Sequence, residues 1–296
     1  MIILGTVQLG TAYGINNRSG KPDTKAATAL VDAAWEGGVR MFDTAQAYGD
    51  SESVLGSAFR ALGIGETAQV ISKLPPDLSE NDAGRLEGMI VASLEKLGCS
   101  SLYCLMFHRE EHMALLNGNT AQALQSTLET GKVRLFGVST YTPEAALDAL
   151  RHPLVSVVQI PASIMDRRFE SAGVFDFARA VGKQVHIRSA FLQGVLCMHP
   201  GEIPEYLAAL RPFVAMFQAV CESKSLKPTA LALAWLMDRY PEAHAIFGAE
   251  TVAQVRENLD FLKQAGTIAP ALRAALETVL PPQEASLLNP ALWGKS

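Results

Sequence analysis

Short apolar runs alternate with helix-like segments along the whole chain, and this alternation restricts the folds that it can adopt. Eight runs have the length and composition of β-strands, and they are Ile2–Gly5, Val39–Asp43, Ala68–Lys73, Leu102–Phe107, Val133–Ser139, Val155–Ile160, Gln184–Ser189 and Ala243–Phe247. Strands that alternate with helices predict a parallel sheet with right-handed crossovers. Because there are eight of them, we predict a closed (β/α)8 barrel, the TIM barrel, rather than an open doubly wound sheet.

The segments between the runs carry helix signals. Asp23 or Thr24 can cap the first helix, and a continuous helix is predicted over Asn81–Leu97. An additional C-terminal helix is predicted over Pro270–Val279, since its proline falls in the first turn, where no backbone N–H is needed. No linker or low-complexity tract interrupts the pattern, so residues 1–296 are predicted to form one domain.

Composition excludes several classes of partner. The formal net charge of −5 argues against nucleic acid, because phosphate neutralisation needs a basic surface. The apolar start Met1–Leu4 is too short for a signal peptide or a membrane span. The four cysteines are irregularly spaced, as expected for free thiols in a reducing compartment. We therefore expect a cytoplasmic protein without a membrane partner, either a monomer or a weak homo-oligomer.

Four polar residues lie at or just beyond the ends of predicted strands, namely Asp43, Tyr48, Lys73 and His108. In a barrel of this kind, the carboxyl ends of the strands meet on one face. A lysine ammonium favours the phenolate and so lowers the pKa of a neighbouring tyrosine. A carboxylate holds the ammonium, and a histidine can orient a carbonyl oxygen. Together these groups form a proton donor for a carbonyl that receives a hydride.

The same residues belong to a series of motifs in strand order. The motifs are Met41–Glu52, Ile71–Lys73, Leu105–His108, Phe136–Ser139, Val158–Gln159, Gln193–Gly194 and Gly248–Asn258. This ordered set covers nearly the whole chain and resembles the aldo-keto reductase family. The resemblance implies an oxidoreductase that reduces an aldehyde or ketone with NAD(P)H, in which Tyr48 donates the proton.

The cofactor site is expected from the resemblance alone, because the chain has no G-x-G-x-x-G motif and no Walker loop. The resemblance implies that cofactor contacts come from Ser139, Thr140, Gln159, Arg188, Ser189, Gly194, Gly248, Glu250, Gln254, Glu257 and Asn258. Among these, Ser139 and Gln159 match residues that bind the nicotinamide carboxamide, and Glu257 matches a residue that contacts adenine. Arg188 replaces an aromatic ring that stacks on the nicotinamide in many relatives.

One departure concerns the choice between NADPH and NADH. Many relatives present basic or hydroxyl groups to the 2′-phosphate at the position of Glu250. A carboxylate there would repel the phosphate but could accept a hydrogen bond from a ribose 2′-OH. The family implies NADPH, and Glu250 leaves NADH open as a second cofactor.

Three other interpretations are consistent with parts of the sequence. A nicotinamide-nucleotide-sensing regulatory subunit would keep the same four residues but turn over slowly. His108–His112 fits H-x-x-E-H, a zinc hydrolase motif, although His108 ends a strand and His112 is expected at the surface. Arg109, Arg167 and Arg168 follow strand ends and would either favour an anionic substrate or be solvated loop residues.

Overall fold

The computed structural model describes residues 1–17, 20–265 and 268–293. Eight parallel strands form a closed barrel in sequence order, in which β1 pairs with both β2 and β8. The strands are β1 (Ile2–Gly5), β2 (Met41–Asp43), β3 (Gln69–Lys73), β4 (Leu102–Phe107), β5 (Val133–Ser139), β6 (Val157–Pro161), β7 (Gln184–Arg188) and β8 (His244–Phe247). The predicted (β/α)8 barrel is confirmed.

Helices surround the barrel on its outer face. They are α1 (Val7–Gly10), α2 (Thr24–Glu36), α3 (Ser51–Leu62), α4 (Leu86–Leu97), α5 (Asn119–Glu129), α6 (Pro143–Arg151), α7 (Arg168–Ser171), α8 (Val174–Ala180), α9 (Arg211–Ser223), α10 (Pro228–Arg239), α11 (Val252–Ala265), α12 (Pro270–Val279) and α13 (Ala285–Leu288). The additional C-terminal helix is α12, with the predicted bounds. Within the described ranges, none of these helices combines the length and the hydropathy that a bilayer span needs.

Local sequence signals account for many helix ends. Asp23 caps α2 by accepting a hydrogen bond from Ala26 N at 2.7 Å. Gly63 and Gly98 end α3 and α4 with φ of 68° and 67°, in the left-handed region that favours glycine. The single helix predicted over Asn81–Leu97 is wrong, because a 3₁₀ segment, Glu80–Arg85, precedes α4.

A capping box explains this break. Asp82 accepts hydrogen bonds from the backbone N–H and the hydroxyl of Ser79, which closes a tight turn at the start of the segment. Gly84 lies within this segment and lowers its helix propensity. The continuous apolar pattern therefore overstated the length of the α-helix.

The interior of the barrel is filled with packed side chains and is not a pore. Buried inward-facing side chains form a small apolar cluster of Ile3, Met41, Ile71, Cys104, Met106, Val157 and Ile246. A larger apolar core lies between the strands and the surrounding helices. Polar side chains at the carboxyl ends of the strands thus stand on a rigid, water-excluding base.

Candidate active site

The ends of three neighbouring strands bring the four predicted catalytic residues together. Asp43 ends β2, Lys73 ends β3 and His108 directly follows β4, while Tyr48 lies in the loop after β2. All four line one cavity of about 500 Å³. This volume falls within the range of small-molecule sites, roughly 300–1,000 Å³.

A buried ion pair forms the base of the cavity. Lys73 Nζ lies 2.6 Å from Asp43 Oδ1 and donates a second hydrogen bond to Thr44 O at 3.0 Å. The other Asp43 oxygen, Oδ2, accepts a hydrogen bond from Gln159 Nε2 at 2.7 Å. Burial is the largest single effect and would lower the pKa of Lys73, but the attraction and hydrogen bonding of Asp43 and Tyr48 together outweigh it, and the pKa is raised. Lys73 is therefore a fixed ammonium.

Tyr48 lies directly against this ammonium. Lys73 Nζ is 5.1 Å from the centroid of the Tyr48 ring. Burial raises the pKa of Tyr48 and the Lys73 charge lowers it, with burial the larger effect, so the net direction is upward. The sequence analysis considered only the Lys73 ammonium and so predicted a lowered pKa for Tyr48, which is wrong. In the structure Lys73 offsets only part of the cost of ionising a buried phenol.

A glycine allows the Tyr48 loop to take this position. A Cβ atom on Gly10, the last residue of α1, would lie 1.8 Å from the backbone oxygen of Tyr48. Any larger residue at position 10 would therefore displace the loop from the barrel mouth. The family resemblance near Tyr48 is carried by the Met41–Glu52 motif, which comprises β2 and the loop after it. It did not predict a role for Gly10.

His108 supplies a neutral imidazole next to Tyr48. The two ring centroids are 5.6 Å apart with an interplanar angle of 86°. Burial, together with the nearby charges of Lys73 and Arg188, lowers the pKa of His108 to about 3. At neutral pH one ring nitrogen therefore carries a hydrogen and the other a lone pair.

The second histidine of the H-x-x-E-H motif is buried, so its prediction as a surface residue is wrong. His112 lies in a 3₁₀ segment, Glu110–Asn117, which turns its ring against the edge of Phe107 at a centroid distance of 5.6 Å. His108 precedes this segment and points into the cavity instead. Across residues 1–17, 20–265 and 268–293, no three His, Cys, Asp or Glu side chains are grouped as a metal site.

Most of the residues predicted to contact a cofactor line the same cavity. They are Ser139, Gln159, Arg188, Ser189, Gly194, Gly248, Glu250, Gln254 and Asn258. Thr140 is buried beneath the lining, and its backbone oxygen accepts a hydrogen bond from Arg188 Nη2 at 3.0 Å. Glu257 is exposed on α11 and is absent from the lining. Successive helix residues are about 100° apart, so Glu257 turns away where Asn258 faces inward.

The cavity has features that fit a dinucleotide. Asn258 is 1% exposed, and its Oδ1 atom has no hydrogen-bond partner among the described residues. Gly248 faces Gln8 so closely that a Cβ atom would lie 2.6 Å from the Gln8 side-chain nitrogen. Gly194 has φ of 93°, and a Cβ atom there would meet Asn16 at 2.8 Å. Both glycines line the cavity, and the adjacent Gln8 and Asn16 leave no room for a side chain at either position.

Several lining residues were missed from the sequence or only suspected. Asn16, Tyr141 and Phe191 were missed, whereas Gln193 belongs to the Gln193–Gly194 motif. Gln8 and Tyr13, which follow β1, also line the cavity. The missed residues lie in loops that follow β1, β5 and β7, and this shared position is the signal that could have found them.

The three loop arginines suspected of binding an anion do not line the cavity. Arg168 pairs with Asp166 at 2.8 Å, and Arg167 donates to Leu280 O at 2.5 Å. Arg109 is exposed. Among the described residues, the arginine that does line the cavity is Arg188, at the end of β7.

Comparison with known proteins agrees with this site. The family model described as the aldo/keto reductase family matches residues 1–268. The aldo-keto reductase str7 from Strobilurus tenacellus is 24% identical over 254 residues, which cover 78% of this chain and 74% of the relative. L-Galactose dehydrogenase from Arabidopsis thaliana is 26% identical over 249 residues, which cover 79% of this chain and 76% of that protein.

Solved structures share the fold. The holo form of the aldo-keto reductase AKR11C1 from Bacillus halodurans superimposes with a TM-score of 0.76, covering 98% of this chain and 94% of that one. Its sequence identity of 18% supports the fold alone. The match of the family model extends over most of the chain. It includes the four predicted catalytic residues, Asp43, Tyr48, Lys73 and His108. This chain therefore belongs to the aldo/keto reductase family.

Proposed function

We propose that this protein reduces an aldehyde or ketone to an alcohol, with a nicotinamide nucleotide as the hydride donor. One observation carries the proposal. Tyr48 lies against a buried Lys73–Asp43 ion pair and beside a neutral His108, in a cavity at the carboxyl ends of the strands. This arrangement suits acid catalysis at an oxygen that gains negative charge.

Tyr48 is the proposed proton donor. Its raised pKa keeps the phenol protonated at neutral pH, so a proton is available when charge develops on the carbonyl oxygen. As the proton leaves, the Lys73 ammonium stabilises the phenolate. Asp43 and the backbone oxygen of Thr44 hold the ammonium in place at 2.6 Å and 3.0 Å. Delivery of the proton therefore costs less than the high pKa of an isolated buried phenol suggests.

His108 is proposed to orient the carbonyl. Its pKa of about 3 means that it remains neutral over the physiological range, so it acts through a hydrogen bond and not through charge. An uncharged donor does not compete with Tyr48 as an acid. Two donors from different strands would define the position of the carbonyl oxygen in the cavity.

When bound, the nicotinamide nucleotide supplies the hydride. Gln159 uses its amide NH₂ on Asp43, which leaves Oε1 as the acceptor that it can present to a carboxamide. Ser139 offers a hydroxyl beside it, and Asn258 Oδ1 offers another acceptor in the cavity lining. Gly194 and Gly248 line the cavity without side chains, and the Gly194 N–H already donates to Phe191 O at 2.9 Å.

We propose NADPH as the cofactor, with weaker discrimination against NADH than is usual in the family. Glu250 lines the cavity, and its backbone N–H donates to Gln254 Oε1 at 2.7 Å. The Gln254 side chain thus folds back on the Glu250 loop. A carboxylate at this place opposes a 2′-phosphate, whereas a 2′-OH can donate to it.

We further propose that residues 1–296 act as one barrel domain, that the protein is cytoplasmic, and that its partner is a small-molecule carbonyl. The four cysteines are all free, as expected in a reducing compartment. Burial raises the pKa of all four thiols, Cys99, Cys104, Cys197 and Cys221, so the thiolate form of each is disfavoured at neutral pH.

The test is a fluorescence titration with NADPH and NADH, followed by steady-state reduction of a carbonyl panel. We expect saturable binding of at least one nucleotide and multiple turnovers with several aldehydes. Failure to bind either nucleotide would refute the proposal. Tight binding with no more than one turnover per chain would instead support a nucleotide-sensing regulatory subunit.

A further inference from the structure

The C-terminal segment, residues 281–293, lies beyond the part of the chain that the family model matches, which ends at residue 268. It nevertheless contributes to the cavity, because Pro290 is one of the lining residues. Pro290 begins a short 3₁₀ turn, Pro290–Leu292, that follows α13. The family resemblance gives no role to this segment, so its function has to be inferred from its position.

The segment is fastened to the barrel through α12, the helix that precedes it. Arg273 of α12 forms an ion pair with Asp238 of α10, whose side chain is 3% exposed. Just beyond the end of α12, the backbone oxygen of Leu280 accepts a hydrogen bond from Arg167 Nη2 at 2.5 Å. The chain therefore enters the C-terminal segment from a fixed point beside α10 and the loop that follows β6.

The turn that carries Pro290 is also held in place. The backbone N–H of Gln283 donates to Met165 O at 3.0 Å, and the side chain of Leu288 is fully buried. The turn is closed by the backbone N–H of Trp293, which donates to Pro290 O at 3.3 Å. A wall that is ordered in advance loses little conformational entropy when a ligand packs against it.

The contacts of this segment place it on the side of the barrel away from the Lys73–Asp43 ion pair. Met165 follows β6, and α13 contacts the 3₁₀ segment Glu205–Leu210, which follows β7. In a closed barrel of eight strands in sequence order, β6 and β7 lie across the mouth from β2 and β3. Asp43 and Lys73 end those two strands. Pro290 therefore borders the part of the cavity that is remote from the ion pair.

Three other lining residues belong to elements on this side, outside the strand ends. Cys197 ends a 3₁₀ segment after β7, Thr229 lies in the first turn of α10, and Asn258 lies on α11. The helix α10 contacts both of the other elements. Asn258 Oδ1 is a buried acceptor without a partner among the described residues. Beside an apolar proline ring, such an acceptor suits a flat heterocycle that carries an amino group.

We propose that Pro290 forms a wall of the adenine subsite, so that the C-terminal segment completes the nucleotide site. The inference rests on the reductase function proposed above and extends its nucleotide site beyond the matched region. A dinucleotide whose nicotinamide lies beside Tyr48 has to cross the cavity to place its other base. The adenine packs one face against the Pro290 ring and donates from its amino group to Asn258 Oδ1.

The test measures the two halves of the dinucleotide separately. AMP and nicotinamide mononucleotide are used as competitors in a fluorescence titration with NADPH or NADH, whichever binds more tightly. Pro290→Ala should weaken the binding of AMP and of the dinucleotide by roughly three- to tenfold, the scale of a lost apolar contact, and leave nicotinamide mononucleotide unchanged. Leu292→Ala is the matched control, because Leu292 lies in the same turn, is 57% exposed and is outside the lining. It should change none of the three affinities.

A shortened chain that ends at Leu280 tests the whole segment. It keeps α12 and the Arg273–Asp238 ion pair but loses residues 281–296, and it should weaken AMP binding more than Pro290→Ala does. The deletion also removes the buried side chain of Leu288, so its Tm is expected to fall. Pro290→Ala, whose Tm should equal that of Leu292→Ala, therefore decides the inference even if the shortened chain does not fold.

The outcomes separate this inference from the reductase proposal. Unchanged AMP affinity in Pro290→Ala, or an equal loss for both halves of the dinucleotide, would overturn the inference, and the reductase proposal would stand if carbonyls are still reduced. A selective loss of AMP affinity in a protein that reduces no carbonyl would refute the reductase and support the adenine subsite. If the wild type binds no nucleotide, both are refuted.

Discussion

Gln159 donates a hydrogen bond from Nε2 to Asp43 Oδ2 at 2.7 Å, which joins β6 to β2 across the mouth of the barrel. Lys73 occupies the other Asp43 oxygen at 2.6 Å, so the carboxylate is held on both sides. The same glutamine lines the cavity where a nicotinamide is proposed to bind. Gln159 therefore connects the proposed cofactor site to the ion pair that supports Tyr48.

Gln159→Leu should destabilise the protein and slow reduction. It leaves a buried oxygen of Asp43 without a partner, which costs about 1–3 kcal/mol. Urea unfolding measures the loss of stability. Gln159→Glu serves as a comparison, because its side chain has nearly the same size as that of Gln159 but carries a negative charge that repels Asp43. A Leu variant with unchanged unfolding midpoint and unchanged kcat would show that the link between the two sites has no consequence.

Tyr48→Phe should abolish carbonyl reduction while nucleotide affinity stays close to that of the wild type. The substitution removes only the proposed proton donor, an effect worth roughly 10²–10⁴-fold in rate. Single-turnover kinetics and a fluorescence titration measure the two quantities separately. Retention of more than half of the wild-type rate would rule out Tyr48 as the donor.

Lys73→Met should slow reduction and move its alkaline limb to higher pH. Reduction requires the protonated phenol, so the rate falls as the pH rises through the pKa of Tyr48. Without the ammonium this pKa, already raised by burial, rises further, and the phenol becomes a weaker acid. Asp43→Asn should also slow reduction, because Lys73 is then less well held, but it should move the alkaline limb to lower pH, since the Asp43 charge itself raises the pKa of Tyr48. A pH–rate profile identical to that of the wild type would make Lys73 purely structural.

His244→Gln should reduce the sensitivity of the fold to acid. His244 stacks on His186 at a centroid distance of 4.9 Å, and burial, followed by the N-terminal ammonium, lowers its pKa to about 4. The pKa of His244 is 6.5 in the unfolded chain and about 4 in the folded protein, so between these pH values only the unfolded chain binds the proton. The free energy of unfolding therefore decreases as the pH is lowered from 6.5 to about 4.

The measurement is the Tm of wild type and variant across that pH window. The variant should lose less stability on acidification, by on the order of 1 kcal/mol after allowance for the partial exposure of His244. Parallel Tm curves for the two proteins would exclude this histidine as a cause of acid sensitivity.

Glu250→Arg should shift cofactor preference towards NADPH. A guanidinium in place of a carboxylate turns repulsion of a 2′-phosphate into a charge-assisted hydrogen bond, worth about 1.5–3 kcal/mol. The ratio of the dissociation constants for NADPH and NADH, at one ionic strength, measures the effect. Glu257→Arg introduces the same charge on the exposed face of α11 and should change the ratio far less. Equal responses would trace the preference to net charge and not to Glu250.

Much of this molecule follows from patterns within short stretches of sequence. Eight alternating runs predict the barrel, because a parallel strand needs a helix to return the chain to the same edge of the sheet. The positions of Asp43, Lys73 and His108 at strand ends then place them on one face. The resemblance to the aldo/keto reductase family rests on the same local order of motifs.

Other features depended on contacts between distant segments. The capping box at Ser79 divided a predicted helix, and the turn after β4 buried His112 against Phe107. Whether the pKa of Tyr48 is raised or lowered depends on the balance between burial, which raises it, and the Lys73 charge, which lowers it. The sequence indicated only that Lys73 would be near Tyr48 and gave no measure of burial.

Local sequence patterns predicted the eight strands and most of the helices and, together with the family resemblance, Asp43, Tyr48, Lys73 and His108. Only the tertiary structure decided that Gln159 binds Asp43, that Glu257 faces solvent, and that Arg188 enters the cavity without a carboxylate partner among the described residues. The physical reason is that secondary structure depends on side-chain periodicity and caps over a few residues. Hydrogen-bond partners, burial and electrostatic environment depend instead on side chains that the closure of the barrel brings together from separate strands.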